Sequence, residues 1–200
     1  GLVWEVNPST SLYASYAEIF QSQYGRDYFG SVLPPRTGEQ FEVGVKQGFL
    51  DDRLNLAVAV FRIQDTNRSL ADPDNVGCGS NGVCNKAAGM IESKGIDTEI
   101  VGSPLPGWNL STGYTYNDVR YKKGTNMGQR FQPALTPHHS FKFWSSYDLG
   151  YGVAGWELPG WSIGAGLRGQ SATYANHWRQ GTHAIYSATV GYRMNKHLRA

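Results

Sequence analysis

No apolar run in the 200 residues approaches the roughly 18 to 20 that a membrane-crossing helix needs, so any membrane span has to come from strands. Gly1 to Pro8 lacks the basic and apolar regions of a signal peptide. Charged residues make up only 17%, and a formal net charge of +2 is too small an imbalance to point to nucleic acid or an anionic membrane surface as partner. Catalytic groupings are missing as well. His138, His139, His177, His183 and His197 fall in loops or turns without a nucleophile motif beside them, so the chain reads as no enzyme and as holding neither metal nor resident cofactor.

Glycine (25), tyrosine (12), phenylalanine (8) and tryptophan (6) are plentiful, a mixture that favours an all-β protein. Strict alternation recurs along the chain, and one face of a strand carries every second residue. Phe41, Val43 and Val45 alternate with Glu42, Gly44 and Lys46; Leu54, Leu56, Val58 and Val60 alternate with Asn55, Ala57 and Ala59. Ile96 to Ile100, Trp108 to Asn117, Phe141 to Tyr147, Trp161 to Arg168 and Tyr186 to Arg193 repeat the pattern, and Ser11 to Phe20 makes eight strands.

Between them, short turns (7–10, 50–53, 102–107, 195–197 and a somewhat longer glycine-rich 148–160) alternate with long polar loops at about 21–38, 66–88, 122–137 and 172–183. Short turns on one side and long loops on the other are the habit of outer-membrane barrels. A soluble β-sandwich also alternates, but its apolar face is a core of Val, Ile and Leu. Here that face carries Trp108, Phe141, Tyr147, Trp161 and Tyr192 near strand ends, as interfacial girdles do. The expected fold is all-β: an antiparallel transmembrane β-barrel segment, with Val43, Leu56, Val58, Ile100, Leu110, Ile163 and Val190 facing lipid and Glu42, Asp97, Glu99, Asn109 and Arg168 facing the lumen. Gly1 to Val6 reads as the tail of a preceding strand, and His197 to Ala200 as the start of another.

Cys78 and Cys84 lie in one short segment of turn formers, and no histidine or further cysteine nearby completes a zinc set. A disulfide at the tip of a long extracellular loop is expected, stabilising that loop by about 2 kcal/mol in the chain-entropy model.

Several stretches resemble TonB-dependent siderophore receptors, in particular those for hydroxamate and pyoverdine-type ferric complexes. They are Ser11 to Gln21, Gly38 to Lys46 followed by Leu54 to Phe61, Gly107 to Tyr116, and Thr136 to Trp144, and their order and spacing carry the likeness over nearly the whole chain. The resemblance implies a bacterial outer-membrane barrel of roughly 22 strands plugged by an N-terminal domain, of which residues 1–200 supply about eight complete strands within one barrel domain. It also implies a ferric siderophore as transported ligand, outer-membrane lipid as surroundings, and TonB energy coupling through parts that lie outside this sequence. A receptor for another nutrient, a passive porin and a soluble secreted β-domain are the competing readings. An outer-membrane phospholipase would need a serine and histidine pair that is not recognisable.

A bulky, partly polar ferric complex calls for aromatic surfaces and a few charged or hydrogen-bonding groups at loop ends. Tyr24, Tyr28, Phe29 and Tyr121 have that character, as do Arg130, Phe131, Tyr174, Trp178 and Arg179. Gly164 to Gly169 matches the GxGxxG pattern but continues as strand, without the helix that would hold a pyrophosphate. Asn67 to Ser69 and Asn109 to Ser111 match glycosylation acceptors, which carry no such meaning in a bacterial barrel.

Overall fold

A computed structural model of the chain describes residues 1–78, 83–124, 127–128, 136–152, 155, 157–175 and 178–194, with backbone alone at Pro73, Val76, Val83, Ala175 and Trp178. Nine strands form one antiparallel sheet, each paired with the next in this order: β1 (Leu2–Asn7), β2 (Thr10–Gln21), β3 (Arg36–Phe49), β4 (Leu54–Val76), β5 (Val83–Leu105), β6 (Trp108–Lys123), β7 (His139–Asp148), β8 (Trp161–Gln170) and, beyond a short separate hairpin, β11 (His183–Tyr192). The eight expected strands are all present, and the expected tail of a preceding strand is β1. The expected start of a strand at His197 to Ala200 and the turn at 195–197 lie outside the described residues.

Two stretches read as loops are strand instead. β4 and β5 run on to Val76 and from Val83, so most of 66–88 is a paired ribbon, and 172–183 contains a short hairpin of β9 (Thr173–Ala175) and β10 (Trp178–Gln180). Backbone pairing prevails there without an apolar face because both sides of the ribbon meet water and only the ladder hydrogen bonds set the conformation. Cys78 and Cys84 are disulfide-bonded at its tip.

The register tests the alternation directly, because residues opposite each other on neighbouring strands point to the same side. Val43 stands between Ala14 and Val60, Val60 opposite Ile96, Ile96 opposite Tyr116, and Tyr116 opposite His139. Leu56 and Ile100 extend that face downward, and Tyr147, Ile163 and Val190 share its lower end. Glu42, Asp97, Glu99, Asn109 and Arg168 all lie on the opposite face. Val43, Val60, Ile163 and Val190 are each about half exposed or more, in a sheet whose apolar face is covered by none of the described residues. A patch that wide belongs against lipid, not water, which removes the soluble sandwich.

The strands are tilted. Thr10, the first residue of β2, connects through Gln47, Leu56, Ile100, Thr112, Phe143 and Leu167 to Tyr186, which stands well above the lower end of β11 at Tyr192. The aromatic girdles drift the same way. The upper one runs from Tyr16 and Phe41, whose rings lie 4.9 Å apart, through Tyr116 and Phe141 to Tyr186. The lower one runs from Trp4 through Phe49, Trp108 and Tyr147 to Trp161 and Tyr192, 4.8 Å apart. On β6 the two girdles, at Tyr116 and Trp108, are roughly 20 Å apart along the membrane normal at a tilt of ~45°, close to the ~25 Å apolar band of such barrels. The Trp108 indole donates to Ser145 Oγ at 2.8 Å, so its polar atom is satisfied at the interface.

Glycine on the lumenal face makes room for aromatic rings. A side chain on Gly44 would come within 2.5 Å of the Tyr13 ring, which lies across it and donates to Glu42 at 2.8 Å. Just above the upper girdle, on the outward face, Glu92 is 6% exposed and accepts from Arg62 at 2.7 Å, Lys122 at 2.9 Å and Gln64 at 3.2 Å. The hydrogen bond from Lys122, with Arg62 and Gln64 behind it, overrides the cost of burial and pulls the Glu92 carboxyl down to about 2.

Two outcomes follow for the full-length protein. Val58→Arg places a charge on the lipid face and should destabilise folding into bilayers by about 2–4 kcal/mol in urea titrations, while Ala57→Arg on the lumenal face should cost far less. Because the folded Glu92 pKa lies below its ordinary value, its stabilisation is complete above about pH 4.5 and is lost as pH falls toward 2. Urea midpoints measured across that window should fall more steeply for the wild type than for Glu92→Gln; equal slopes would refute the assignment.

Candidate functional site

The sequence candidates lie at the long-loop ends of the strands, and the framework there is the loop of residues 22–35 between β2 and β3. Pro34 and Pro35 prevent strand pairing just before β3. Within the loop, Arg26 bridges Val32, Ser31 N donates to Asp27 Oδ1 at 2.8 Å, and Gly30 takes the positive φ of 81° that closes the turn. Leu33 is 5% exposed and packs on Gly25, where an added Cβ would sit 3.0 Å from Leu33 Cδ1. The loop is thereby folded back on itself.

Polar contacts then fasten it to β4. The Gln23 side-chain amide donates to Pro34 O at 2.6 Å and to Asn67 O at 2.7 Å, and Asn67 Nδ2 donates to Pro35 O at 3.2 Å. Asn67 has φ of 57°, at a place where the β4–β5 register shifts, and this turns its carbonyl toward the loop. Arg36 grips the Asp65 carboxylate through Nε at 3.2 Å and through a second guanidinium nitrogen, and donates to Gln21 Oε1 at 2.9 Å. Arg68 completes the cluster at 2.7 Å from the same carboxylate. A carboxylate forked by one arginine and met by another is a strong, directional anchor when half-buried.

This pinned loop carries three of the expected aromatics, all exposed. Tyr24 is 94% exposed, Phe29 85% and Tyr28 half exposed, and the Tyr28 and Phe29 rings meet edge to face at 5.3 Å. Tyr121 lies on the wall, in the ladder row of the Asp65 anchor: it stands opposite Ile91, itself opposite Asp65, on the lumenal face. Tyr174 and Arg179 form a separate group in the β9–β10 hairpin, between β8 and β11, with the guanidinium 5.5 Å from the ring centre. Trp178 faces Ala175 in that hairpin's register. Arg130 and Phe131 lie outside the described residues.

Sequence reading missed Arg36, Asp65, Arg68, Gln23 and Asn67. Arg36 fell in the stretch read as the 21–38 loop, and nothing local links it to a carboxylate 29 positions away.

The ribbon beyond the site carries a second charged cluster. Lys86 reaches Asp72 at 3.0 Å and Asp74 at 3.2 Å, and Asn75 donates to Asp72 at 2.9 Å. The Asn75 hydrogen bond, then that of Lys86, lowers the Asp72 carboxyl below its ordinary range. These contacts stiffen the strands leading to the disulfide.

The chain matches a family model described as TonB dependent receptor-like, beta-barrel, over residues 1–200. It is 32% identical to the ferric-pyoverdine 358 receptor of Pseudomonas putida, across all of this chain and 24% of that protein. It is 31% identical to the ferrichrome outer membrane transporter/phage receptor of Escherichia coli K12, across 90% of this chain and 23% of the other. Among solved structures, Pseudomonas aeruginosa FpvA in complex with a heterologous pyoverdine and iron superposes with a TM-score of 0.79 at 26% identity, over 96% of this chain and 26% of that one. This chain thus spans about a quarter of the length of such relatives. With the whole length matched by the family model, and with girdles, tilt and alternation in place, the chain belongs to the TonB-dependent receptor β-barrel family.

Proposed function

We propose that residues 1–200 form part of a single barrel domain of an outer-membrane receptor that imports a ferric siderophore, energised by TonB coupling through polypeptide outside this stretch. The observation that carries this reading is the pinned loop 22–35, which holds Tyr24, Tyr28 and Phe29 in solvent on a fixed base. An exposed aromatic array costs free energy in water and gains it against a bulky ligand, and fastening the loop beforehand reduces the ordering cost of binding. The names of the relatives, receptors for ferric-pyoverdine and ferrichrome, support an iron-chelate ligand.

In this role the protein need not touch iron, since the chelator supplies the metal's ligands. Tyr24, Phe29 and Tyr28 offer ring faces, Tyr121 lines the wall below, and Tyr174 with Arg179 offers a cation beside an aromatic from the far side of the sheet. Trp178, Arg130 and Phe131 are assigned to the same loop-borne surface by position in the sequence. The chain acts as a binding and transport wall and not as an enzyme.

Titration of the full-length receptor with ferric pyoverdine and ferric hydroxamate siderophores tests this. Tyr24→Ala with Phe29→Ala should weaken binding of the cognate complex about 10- to 100-fold, in line with roughly 0.7–1.4 kcal/mol per anchoring aromatic. Asp65→Asn should also weaken it and should expose loop 22–35 to proteolysis, because Arg36 and Arg68 lose their shared carboxylate. No saturable binding of any ferric siderophore, or variants indistinguishable from wild type, would contradict the proposal.

A further inference from the structure

The outward face changes character above the upper girdle. There the register groups four cations on three strands: Arg62 of β4 stands opposite Lys94 of β5, Lys94 opposite Asp118 of β6, and Glu92 opposite Arg120, with Lys122 two residues further along β6. Phe41 flanks Arg62 from β3, and Val60, Ile96 and Tyr116 lie directly below on the same face. Asp118 is two residues beyond Tyr116, so roughly 5 Å higher along the membrane normal at a tilt of ~45°. That is the depth at which lipid headgroups begin. β2 and β3 continue the upper row with Glu18 and Glu39, so the cations are confined to β4–β6.

Two buried carboxylates hold this cluster together without neutralising it. Glu92 anchors Arg62 and Lys122, and Arg120 Nε donates to Asp118 Oδ2 at 2.8 Å. Four cations over two acids leave an excess of positive charge, and Arg62, Lys94, Arg120 and Lys122 are all exposed. Lys94 makes no ion pair or side-chain hydrogen bond among the described residues, although Asp118 stands directly across from it. Asp118 Oδ1 is unsatisfied as well: Asp118 is 8% exposed, and this oxygen has no hydrogen-bond partner among the described residues. A buried acceptor without a donor is costly, and a fixed cation excess at the membrane surface attracts anionic headgroups.

We propose that this patch binds the phosphate of an outer-leaflet glycolipid, with the acyl chains lying over Val60, Ile96 and Tyr116. Among the described residues Arg120 bonds Asp118 through Nε alone, which leaves its two terminal nitrogens to fork phosphate oxygens. Arg62, Lys94 and Lys122 add positive charge around them. Asp118 Oδ1 accepts from a sugar hydroxyl or amide beside the phosphate, a donor that a bare phosphate lacks. The apolar residues below separate a lipid from a free anion as occupant: Val60 and Ile96 are exposed where chains hang from the headgroup. This inference rests on the barrel family and not on which ligand is carried, so siderophore binding can fail while lipid binding stands.

The test uses the full-length protein in detergent, titrated with diphosphorylated lipid A and read by native mass spectrometry. Saturable binding is expected, roughly fivefold tighter than that of phosphatidic acid, which carries a phosphate without sugar donors, and undisturbed by excess inorganic phosphate. Lys94 has no partner to lose, so its variants fold. Lys94→Gln should weaken lipid A binding about 3- to 10-fold, adding Arg120→Gln should weaken it further, and Lys94→Arg should restore it. Lys142→Gln, on the lumenal face, should leave it unchanged. Equal binding of zwitterionic phosphatidylethanolamine, or Lys94→Gln indistinguishable from wild type, would overturn the proposal. Competition by inorganic phosphate would reassign the patch to a small anion, and equal affinity for phosphatidic acid would remove the glycolipid; either result refutes it.

Discussion

In hydrocarbon no water is available to a backbone N–H or C=O, so each must be bonded within the protein, and that requirement governs the rest of this structure. The antiparallel ladder from β1 to β11 satisfies it strand by strand. Among the described residues, β1 and β11 each have one side of the ladder unpaired, and in lipid those sides demand further strands. Closure of such a sheet requires tilt, and the tilt is visible as the climb of one ladder row from the start of β2 to the middle of β11. The girdles climb with it, because aromatic residues follow the membrane plane and not the ladder.

Once the ladder fixes the backbone, the two faces are free to differ. One is apolar and ends in rings at both interfaces; the other mixes glycine, small polar groups and charge. Glycine there has a particular use, since Tyr13 over Gly44 and Trp144 over Gly164 and Gly166 cover bare backbone with aromatic surface and keep the wall smooth. Above the membrane both faces meet water, apolar alternation ceases, and ion pairs take over: Glu92 with Arg62 and Lys122 outside, Asp65 with Arg36 and Arg68 inside.

That change of regime explains what could be read from the sequence. Leu54 to Val60 announces a strand with a lipid face because burial selects every second residue. Asp65, Asn67, Arg68 and Ser69 continue the same strand without any such selection and look like a loop. The three-residue strands of the β9–β10 hairpin are too short to show a period. Tyr24, Tyr28 and Phe29 were legible as aromatics in a polar stretch. Their anchorage was not, because Gln23 to Asn67 and Arg36 to Asp65 are contacts made across the register. The stagger of the strands was equally hidden, being a property of pairing and not of any one segment.

The two-faced wall is tested most directly by a nitroxide scan along β4, from Leu56 to Phe61, in the full-length receptor reconstituted in a bilayer. Oxygen partitions into hydrocarbon and a nickel chelate into water, so their relaxation effects report which side each label faces. Oxygen accessibility should peak at Leu56, Val58 and Val60 and fall at Ala57, Ala59 and Phe61, with nickel showing no matching rise on the first set. A flat profile, a period near 3.6, or the opposite phase would contradict the account.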